Sequence, residues 1–323
     1  MNWQADILQN PTRKPGVAVV FRGCQGSGKT VGVEILRRVL GRANVLVTPE
    51  KDRMLGRFNS AVMNKILLVG EEMLFAGDRV TTDKLKHLIT GQTIPVEFKY
   101  GDQLEVKSFH RLVLTSNHAQ VFQAASEERR FVTYDVSDAK RGDVDYFDKL
   151  YAIADGRDDA TAAAFMHYLL TRDITGFKPW ESQQGFANDA ALQNQKLLSL
   201  TPPLMWLREI VETVDGQGQP GDYEWVDGLP YEKGQLFNQQ KSSRWPPRFA
   251  RREAVDAFRA WASKAKPYGV SEFTGSAERF WGEVRKVIPA AQTNRQVSGG
   301  VRIVAIDLAD LQANFDKYLR GEL

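Results

Sequence analysis

The chain has one cysteine, four histidines and almost no net charge, and each scarcity removes a class of explanation. Across 323 residues the single thiol, Cys24, cannot close an internal disulfide, which fits a reducing cytoplasm. His87, His110, His118 and His167 show no metal-ligand spacing with Cys24 or with one another, so no zinc site is expected. No apolar run approaches the ~20 residues of a membrane-spanning helix. The N-terminus carries no signal-peptide pattern, so a cytoplasmic protein with no membrane partner is expected. There is no internal repeat and no low-complexity tract.

What is present is ordinary for a globular chain: 42% hydrophobic and 26% charged residues, enough for one large or two medium domains. The net charge of +3 is unevenly spread. Residues 233–302 hold 14 Lys and Arg against 5 Asp and Glu, while the rest holds 29 against 35. A basic block of that size beside a mildly acidic remainder implies a polyanion partner, or else a solvated face.

One stretch carries a specific chemistry. Gly23-Cys24-Gln25-Gly26-Ser27-Gly28-Lys29-Thr30 fits G-x-x-x-x-G-K-[ST], the loop that wraps phosphates. Residues 17–21 before it read as a buried strand, and residues 31–40 after it as a helix stopped by Gly41. Gly23, Gly26, Ser27 and Gly28 supply inward-facing N–H groups, and the helix N-terminus adds partial positive charge. Lys29 is expected at the β/γ-phosphates and the Thr30 hydroxyl on Mg²⁺. A nucleoside triphosphate ligand follows.

Around that loop the chain reads as alternating strands and helices. Residues 1–16 look like a polar lead-in. Residues 44–48 read as a strand, 53–64 as a helix, and 65–70 as a strand buried on both faces of a parallel sheet. That strand ends in Glu71-Glu72. Opposite a phosphate loop, one carboxylate is expected to help hold Mg²⁺ (Glu71) and the other to deprotonate the attacking water (Glu72). A helix over 82–90 follows. Residues 93–100 and 104–107 then flank Gly101-Asp102 as a β-hairpin. Its Lys99, Tyr100 and Lys107 suit contact with nucleic acid, although tip lysines are also commonly just solvated. The strand 111–115 ends in Ser116-Asn117, where an amide can hold water against the γ-phosphate or simply cap the strand. Arg129 and Arg130 precede the strand 132–136. Either could serve a neighbouring subunit's nucleotide as an arginine finger, or pair with Glu127 or Glu128.

Taken in order, these elements resemble the superfamily 3 helicases, and more closely the helicase half of phage, satellite and poxvirus-type primase-helicases. Local stretches share the likeness: residues 3–11, Gly56-Arg57-Phe58-Asn59, Lys86-His87-Leu88-Ile89-Thr90, Thr115-Ser116-Asn117, Glu128-Arg129-Arg130-Phe131, Tyr146-Phe147 and Gln195-Lys196. The resemblance covers roughly residues 1–210. It implies an α/β fold, an AAA+ type P-loop ATPase with a central, mostly parallel sheet. It also implies a ring, commonly a hexamer, that moves 3′ to 5′ on single-stranded DNA using ATP and Mg²⁺. Carried over by position, Lys29 and Thr30 bind nucleotide and metal, and Glu71 and Glu72 are the acidic pair. Asn117 is the sensor, Arg129 or Arg130 the finger in trans, and Lys99 a channel residue. The family often has Asp where Glu71 stands. Only 22 residues precede Gly23, so a primase half and a collar are expected to be absent, and a separate primase or polymerase is an expected partner.

Beyond the core, residues 144–172, 190–200 and 204–214 look helical, and 215–229 look like a linker. Helices over 251–264 and 276–287, a hairpin around Ser298-Gly299-Gly300 and a helix over 308–319 match a winged-helix-like module. Such modules bind DNA or dock proteins. Their aromatics Trp245, Phe249, Phe258, Trp261, Phe280 and Trp281 read as core. The expected divisions are 1–145 (AAA+ core), 146–214 (helical extension), 215–232 (linker or long loop) and 233–323 (basic winged-helix-like domain). The functional expectation is an ATPase coupled to unwinding of forked duplex in phage or mobile-element replication. An ATP-switched replication initiator or loader is the alternative. A small-molecule P-loop kinase would need a lid and acceptor pocket, and would leave the hairpin and arginine pair unexplained.

Overall fold

The structure, a computed structural model, describes residues 1–73, 79–122, 124, 128–181, 190–213, 223–226, 229–232, 248–265, 276–289, 295–296, 302–305 and 308–323. It divides into two compact units, Met1–Leu198 and Ser199–Leu323. The expected boundaries at 145 and 214 fall within these units. Among the described residues no helix is long and apolar enough to cross a membrane.

The first unit is built on a five-stranded, all-parallel sheet. In chain order it contains α1 (Asn2–Gln9), β1 (Ala18–Arg22), α2 (Lys29–Leu40), β2 (Val45–Thr48), α3 (Lys51–Leu55), β3 (Leu67–Gly70) and α4 (Arg79–Thr90). There follow β4 (Thr93–Glu97), β5 (Gln103–Lys107), β6 (Arg111–Ser116), β7 (Phe131–Asp135), α5 (Val144–Asp155), α6 (Asp159–Thr171) and α7 (Ala190–Leu198). The sheet order is β2-β3-β6-β1-β7, with every neighbouring pair parallel. The α/β expectation therefore holds. Leu67, Leu68 and Val69 are fully buried, because a parallel strand covered by helices on both faces needs apolar side chains in both directions. Each such burial contributes about 1.5–3 kcal/mol.

Two segments differ from expectation. Residues 2–9 form α1 rather than a polar lead-in. Trp3, Ile7 and Leu8 pack on the core formed by α2 and the sheet, while Asp6, fully buried, meets the fully buried Arg111 of β6 at 3.0 Å. Arg111 also donates to the carbonyls of Asp6, Asn10 and Pro11, and Arg13 adds a second cation on Asp6. Burial lowers the Arg111 pKa, which its bond and charge contact with Asp6 oppose. The expected helix over 53–64 stops at Leu55. At Gly56 a Cβ would lie 2.5 Å from the Asp52 carbonyl oxygen, and the chain resumes as a short 3-10 turn at Ser60–Val62.

The β4–β5 hairpin is a separate two-stranded sheet, with Ile94 and Val96 rooted in the core. Its attachment is polar. Asn59 Nδ2 donates to the Pro95 carbonyl at 3.0 Å, and the Glu97 N–H donates to Asn59 Oδ1 at 3.0 Å. At its foot, Lys14 Nζ donates to the Leu88 carbonyl and to Ser108 Oγ, both at 2.7 Å. His110 Nε2 lies 3.0 Å from the Val62 carbonyl, so it must carry the proton, leaving Nδ1 to accept from Ser108. Burial holds this imidazole neutral, with its pKa lowered to about 4.

The second unit contains α8 (Pro202–Thr213), β8 (Tyr223–Val226), β9 (Leu229–Glu232), β10 (Arg248–Ala250), α9 (Arg251–Ala265), α10 (Ala277–Val284), β11 (Arg295–Gln296), β12 (Arg302–Ala305) and α11 (Leu308–Arg320). Part of the expected linker is thus an antiparallel hairpin, with Tyr223 opposite Glu232 and Val226 opposite Leu229. Alternating Tyr-Glu-Trp-Val explains it; residues 214–222 lie outside the described residues. Strands β11 and β12 pair antiparallel as expected, and β10 adds a third strand. The turn at Ser298-Gly299-Gly300, and Trp245, lie outside the described residues, as does the side chain of Phe249. Phe258, Trp261, Phe280 and Trp281 are buried core, joined by Trp206.

Removing one partner of a buried ion pair leaves an uncompensated charge. Asp6→Ala is therefore expected to destabilise the first unit by about 3 kcal/mol, read as a lowered denaturation midpoint. Lys178→Ala, which removes an exposed pair with Glu181, should leave that midpoint in place. Equal effects would contradict the central placing of Asp6 and Arg111.

Candidate functional site

The sheet order decides where the site forms. Strands β3, β6 and β1 lie side by side and run the same way, so their C-terminal ends come together at one edge. Ligands of open parallel sheets sit in the crevice beyond those ends. Here the three ends carry Glu71-Glu72, Ser116-Asn117 and the phosphate loop.

The loop leaves β1 at Arg22 and enters α2 at Lys29. Arg22 grips Asp135 of β7 with two hydrogen bonds of 2.6 Å. The Gly23 N–H donates to the Ser116 carbonyl at 3.2 Å, fixing the loop to β6. Gly26 and Gly28 have φ of 82° and 93°, left-handed values that a residue with a Cβ adopts only at a cost. Ser27 is buried, and its N–H reaches the Cys24 carbonyl. Lys29 Nζ donates to the carbonyls of Gly23 (2.8 Å) and Cys24 (2.7 Å). Burial lowers its pKa, and Cys24 and Glu72 pull it back up.

A cavity of about 430 Å³ opens over this loop. Lys29, Thr30, Glu72 and Asn117 line it together. Asn117 Nδ2 donates to Glu72 Oε1 at 2.8 Å, and Glu72 itself is held at φ 51°. A non-glycine residue in that region stores strain, and such strain concentrates at functional sites.

The two glutamates part company. Glu71 does not line the cavity. Its N–H donates to the Thr48 carbonyl. Its carboxyl pKa is raised by burial, and further by Glu34 and Glu72, against the pull of Arg37. The carboxylate beside Thr30 is that of Glu72. The Thr30 hydroxyl fits a Mg²⁺ that takes its other ligands from water and substrate phosphates. Among the described residues no group of three or more acidic, His or Cys side chains forms a metal cage.

The other expected residues lie apart from this cavity. Arg129 and Arg130 precede β7, at the N-terminal edge of the sheet, where the Ala18 N–H donates to the Arg130 carbonyl. They are a strand's length, roughly 16 Å, from the chain's own phosphate loop. Buried Glu128 accepts both their N–H groups and the Arg130 guanidinium. Arg129 is exposed and forms no ion pair among the described residues; Glu127 lies outside them. Lys99 and Lys107 are exposed on the hairpin, and Tyr100 at its tip is 96% exposed. Lys99 Nζ stands 5.3 Å from the centre of the Tyr100 ring.

Sequence reasoning missed the opposite wall. Gly142, Val144, Phe147, Asp148 and Tyr151, from α5 and the turn before it, face the loop across the cavity. Phe147 and Tyr151 are one helical turn apart, a spacing that marks one face of a helix but not what that face covers.

Comparison with known proteins adds to this geometry. A family of unknown function (DUF5906) matches residues 21–130, from the phosphate loop's strand to the arginine pair. The DNA primase-polymerase of Nitratiruptor phage NrS-1 is 27% identical over 134 residues, 41% of this chain. That match spans 18% of the phage protein's length. An apo structure of the NrS-1 C-terminal region is similar with a TM-score of 0.54 at 17% identity, over 94% of this chain and 70% of that one. An A-form apo structure of the same region gives 0.55 at 18% identity, again over 94% and 70%. The chain has the fold of the NrS-1 C-terminal region. These likenesses are consistent with the superfamily 3 primase-helicase resemblance carried by the motifs.

Asn117 orients Glu72 by a hydrogen bond the backbone cannot replace. Asn117→Ala is expected to slow nucleotide hydrolysis 10- to 100-fold while changing nucleotide affinity less than threefold. An equal loss in both would mean that Asn117 only shapes the pocket.

Proposed function

We propose that this protein is an ATP-dependent DNA helicase or translocase serving phage or mobile-element replication. The observation that carries the reading is the convergence of Lys29, Thr30, Glu72 and Asn117 on one cavity beyond three parallel strand ends. In this reading the loop N–H groups and Lys29 hold the β- and γ-phosphates. The Thr30 hydroxyl would hold Mg²⁺, which when bound would neutralise phosphate charge. Glu72 takes the proton of the attacking water, and Asn117 fixes the carboxylate's orientation.

The arginines give the reading its assembly. Lying at the far edge of the sheet, they can serve only another copy's nucleotide. Arg129, exposed and without an ion pair among the described residues, suits the role better than Arg130, which Glu128 holds. A closed ring, a hexamer by family resemblance, would put each cavity beside a neighbour's Arg129. Lys99, Tyr100 and Lys107 would contact single-stranded DNA in the channel, with 3′ to 5′ movement. A separate primase or polymerase would act on the product. The second unit, as a winged-helix-like module, would hold duplex or partner protein.

The basic block at 233–302 favours a second reading, an ATP-switched initiator or loader that binds DNA without processive unwinding. Strand displacement on a forked duplex with ATP and Mg²⁺ separates the two. The helicase reading expects displacement by the wild type and loss of at least 100-fold in Lys29→Ala. Hydrolysis stimulated by DNA without displacement would favour the loader, and equal activity of wild type and Lys29→Ala would refute both.

A further inference from the structure

The lining of the cavity over the phosphate loop is of two chemical kinds. Lys29, Thr30, Glu72 and Asn117 are polar; Val31, Val144, Phe147 and Tyr151 are apolar or aromatic, with Asp148 on α5 between the two rings in sequence. The phosphates and the catalytic water account for the first. Nothing in the hydrolytic chemistry requires the second.

The aromatic part of the lining is fixed in place rather than merely nearby. A Cβ on Gly28 would lie 2.7 Å from Phe147 Cε1 and 3.2 Å from Cζ. The ring therefore rests on the loop itself, and only a glycine at 28 permits that approach. Tyr146 meets Phe147 edge-on, with centroids 5.2 Å apart at 82°. Tyr151 flanks it on the next turn, tilted 41° at 6.5 Å. Tyr151 nevertheless remains 50% exposed. A ring clamped against a phosphate cradle, with a half-open aromatic beside it, offers a π surface where a heterocycle linked to those phosphates would fall.

We infer that the Phe147–Tyr151 face of α5 is the nucleobase subsite, stacking the base of the nucleoside triphosphate whose phosphates the loop holds. This rests on the nucleotide reading above. It assigns to α5 the part of ligand recognition that the loop cannot supply, since backbone N–H groups and Lys29 see only phosphate. Stacking is tolerant of base identity, so purine triphosphates should bind somewhat more tightly than pyrimidine ones through larger ring overlap, with no strict exclusion.

The test compares ATP with inorganic tripolyphosphate, both with Mg²⁺, by titration calorimetry on the full chain. Wild type should bind ATP at least tenfold more tightly than tripolyphosphate. Phe147→Ala and, separately, Tyr151→Ala should each lose about tenfold in ATP affinity, with tripolyphosphate affinity unchanged; retained tripolyphosphate binding also shows that the loop is still folded. Parallel loss of both ligands in Phe147→Ala, with Tyr151→Ala unaffected for either, would make α5 a packing element and overturn the inference. So would unchanged ATP affinity in both variants. If wild type binds neither ligand, the nucleotide reading falls and this inference with it, whereas a wild type that binds both equally keeps the phosphate site and overturns this inference alone.

Discussion

The parallel hydrogen-bond ladder joining β3, β6 and β1 is the constraint from which the site follows. Pairing Gly70 with Leu114 and Arg22 with Ser116 sets three strand ends at a common level. The residue two beyond β3, the residue after β6 and the loop after β1 then have one crevice to share. No side chain in it is individually unusual. A shift of one residue in any of these strands would turn Glu72 or Asn117 to the opposite face and leave Lys29 without its acidic counterpart. The cores on either side of the sheet, built on Leu67, Leu68, Val69 and Val113, hold that register, because a slip would expose the wrong half of each strand.

The same parallel arrangement gives the sheet two functional edges. Its C-terminal edge gathers the glycine loop, Lys29, Glu72 and Asn117; its N-terminal edge carries Glu128, Arg129 and Arg130. On the proposed function, guanidinium groups a strand's length from the chain's own loop would complete another copy's site rather than its own. The buried Asp6–Arg111 pair stabilises this second edge, tying α1 to the start of β6. Lys14, Ser108 and His110 do the equivalent for the foot of the hairpin.

What was legible in the sequence was what is local. The phosphate loop could be read because eight consecutive residues contain the backbone geometry it needs, and the hairpin because alternation and a glycine turn are short-range signals. The sequence offered Glu71 and Glu72 side by side, and only the way the chain leaves β3 places Glu72 alone on the cavity wall. Helix α1 could not be read: Asp6 looks like a surface residue until Arg111, over a hundred positions away, neutralises it. The aromatic wall of α5 was hidden for the same reason, because Phe147 acquires its meaning only from Gly28, on a different element. Local backbone chemistry shows in a sequence; the side chain that faces it across a cavity does not.

The central claim is that one cavity both holds the triphosphate and hydrolyses it, with Glu72 acting on water rather than on binding. Nucleotide affinity and single-turnover hydrolysis of ATP, measured side by side on wild type and Glu72→Gln, test it most directly. Glu72→Gln keeps the shape and the bulk of the side chain but cannot take up a proton at neutral pH. The account predicts affinity within about threefold of wild type and a hydrolysis rate reduced at least 100-fold. Hydrolysis that survives the substitution would contradict it.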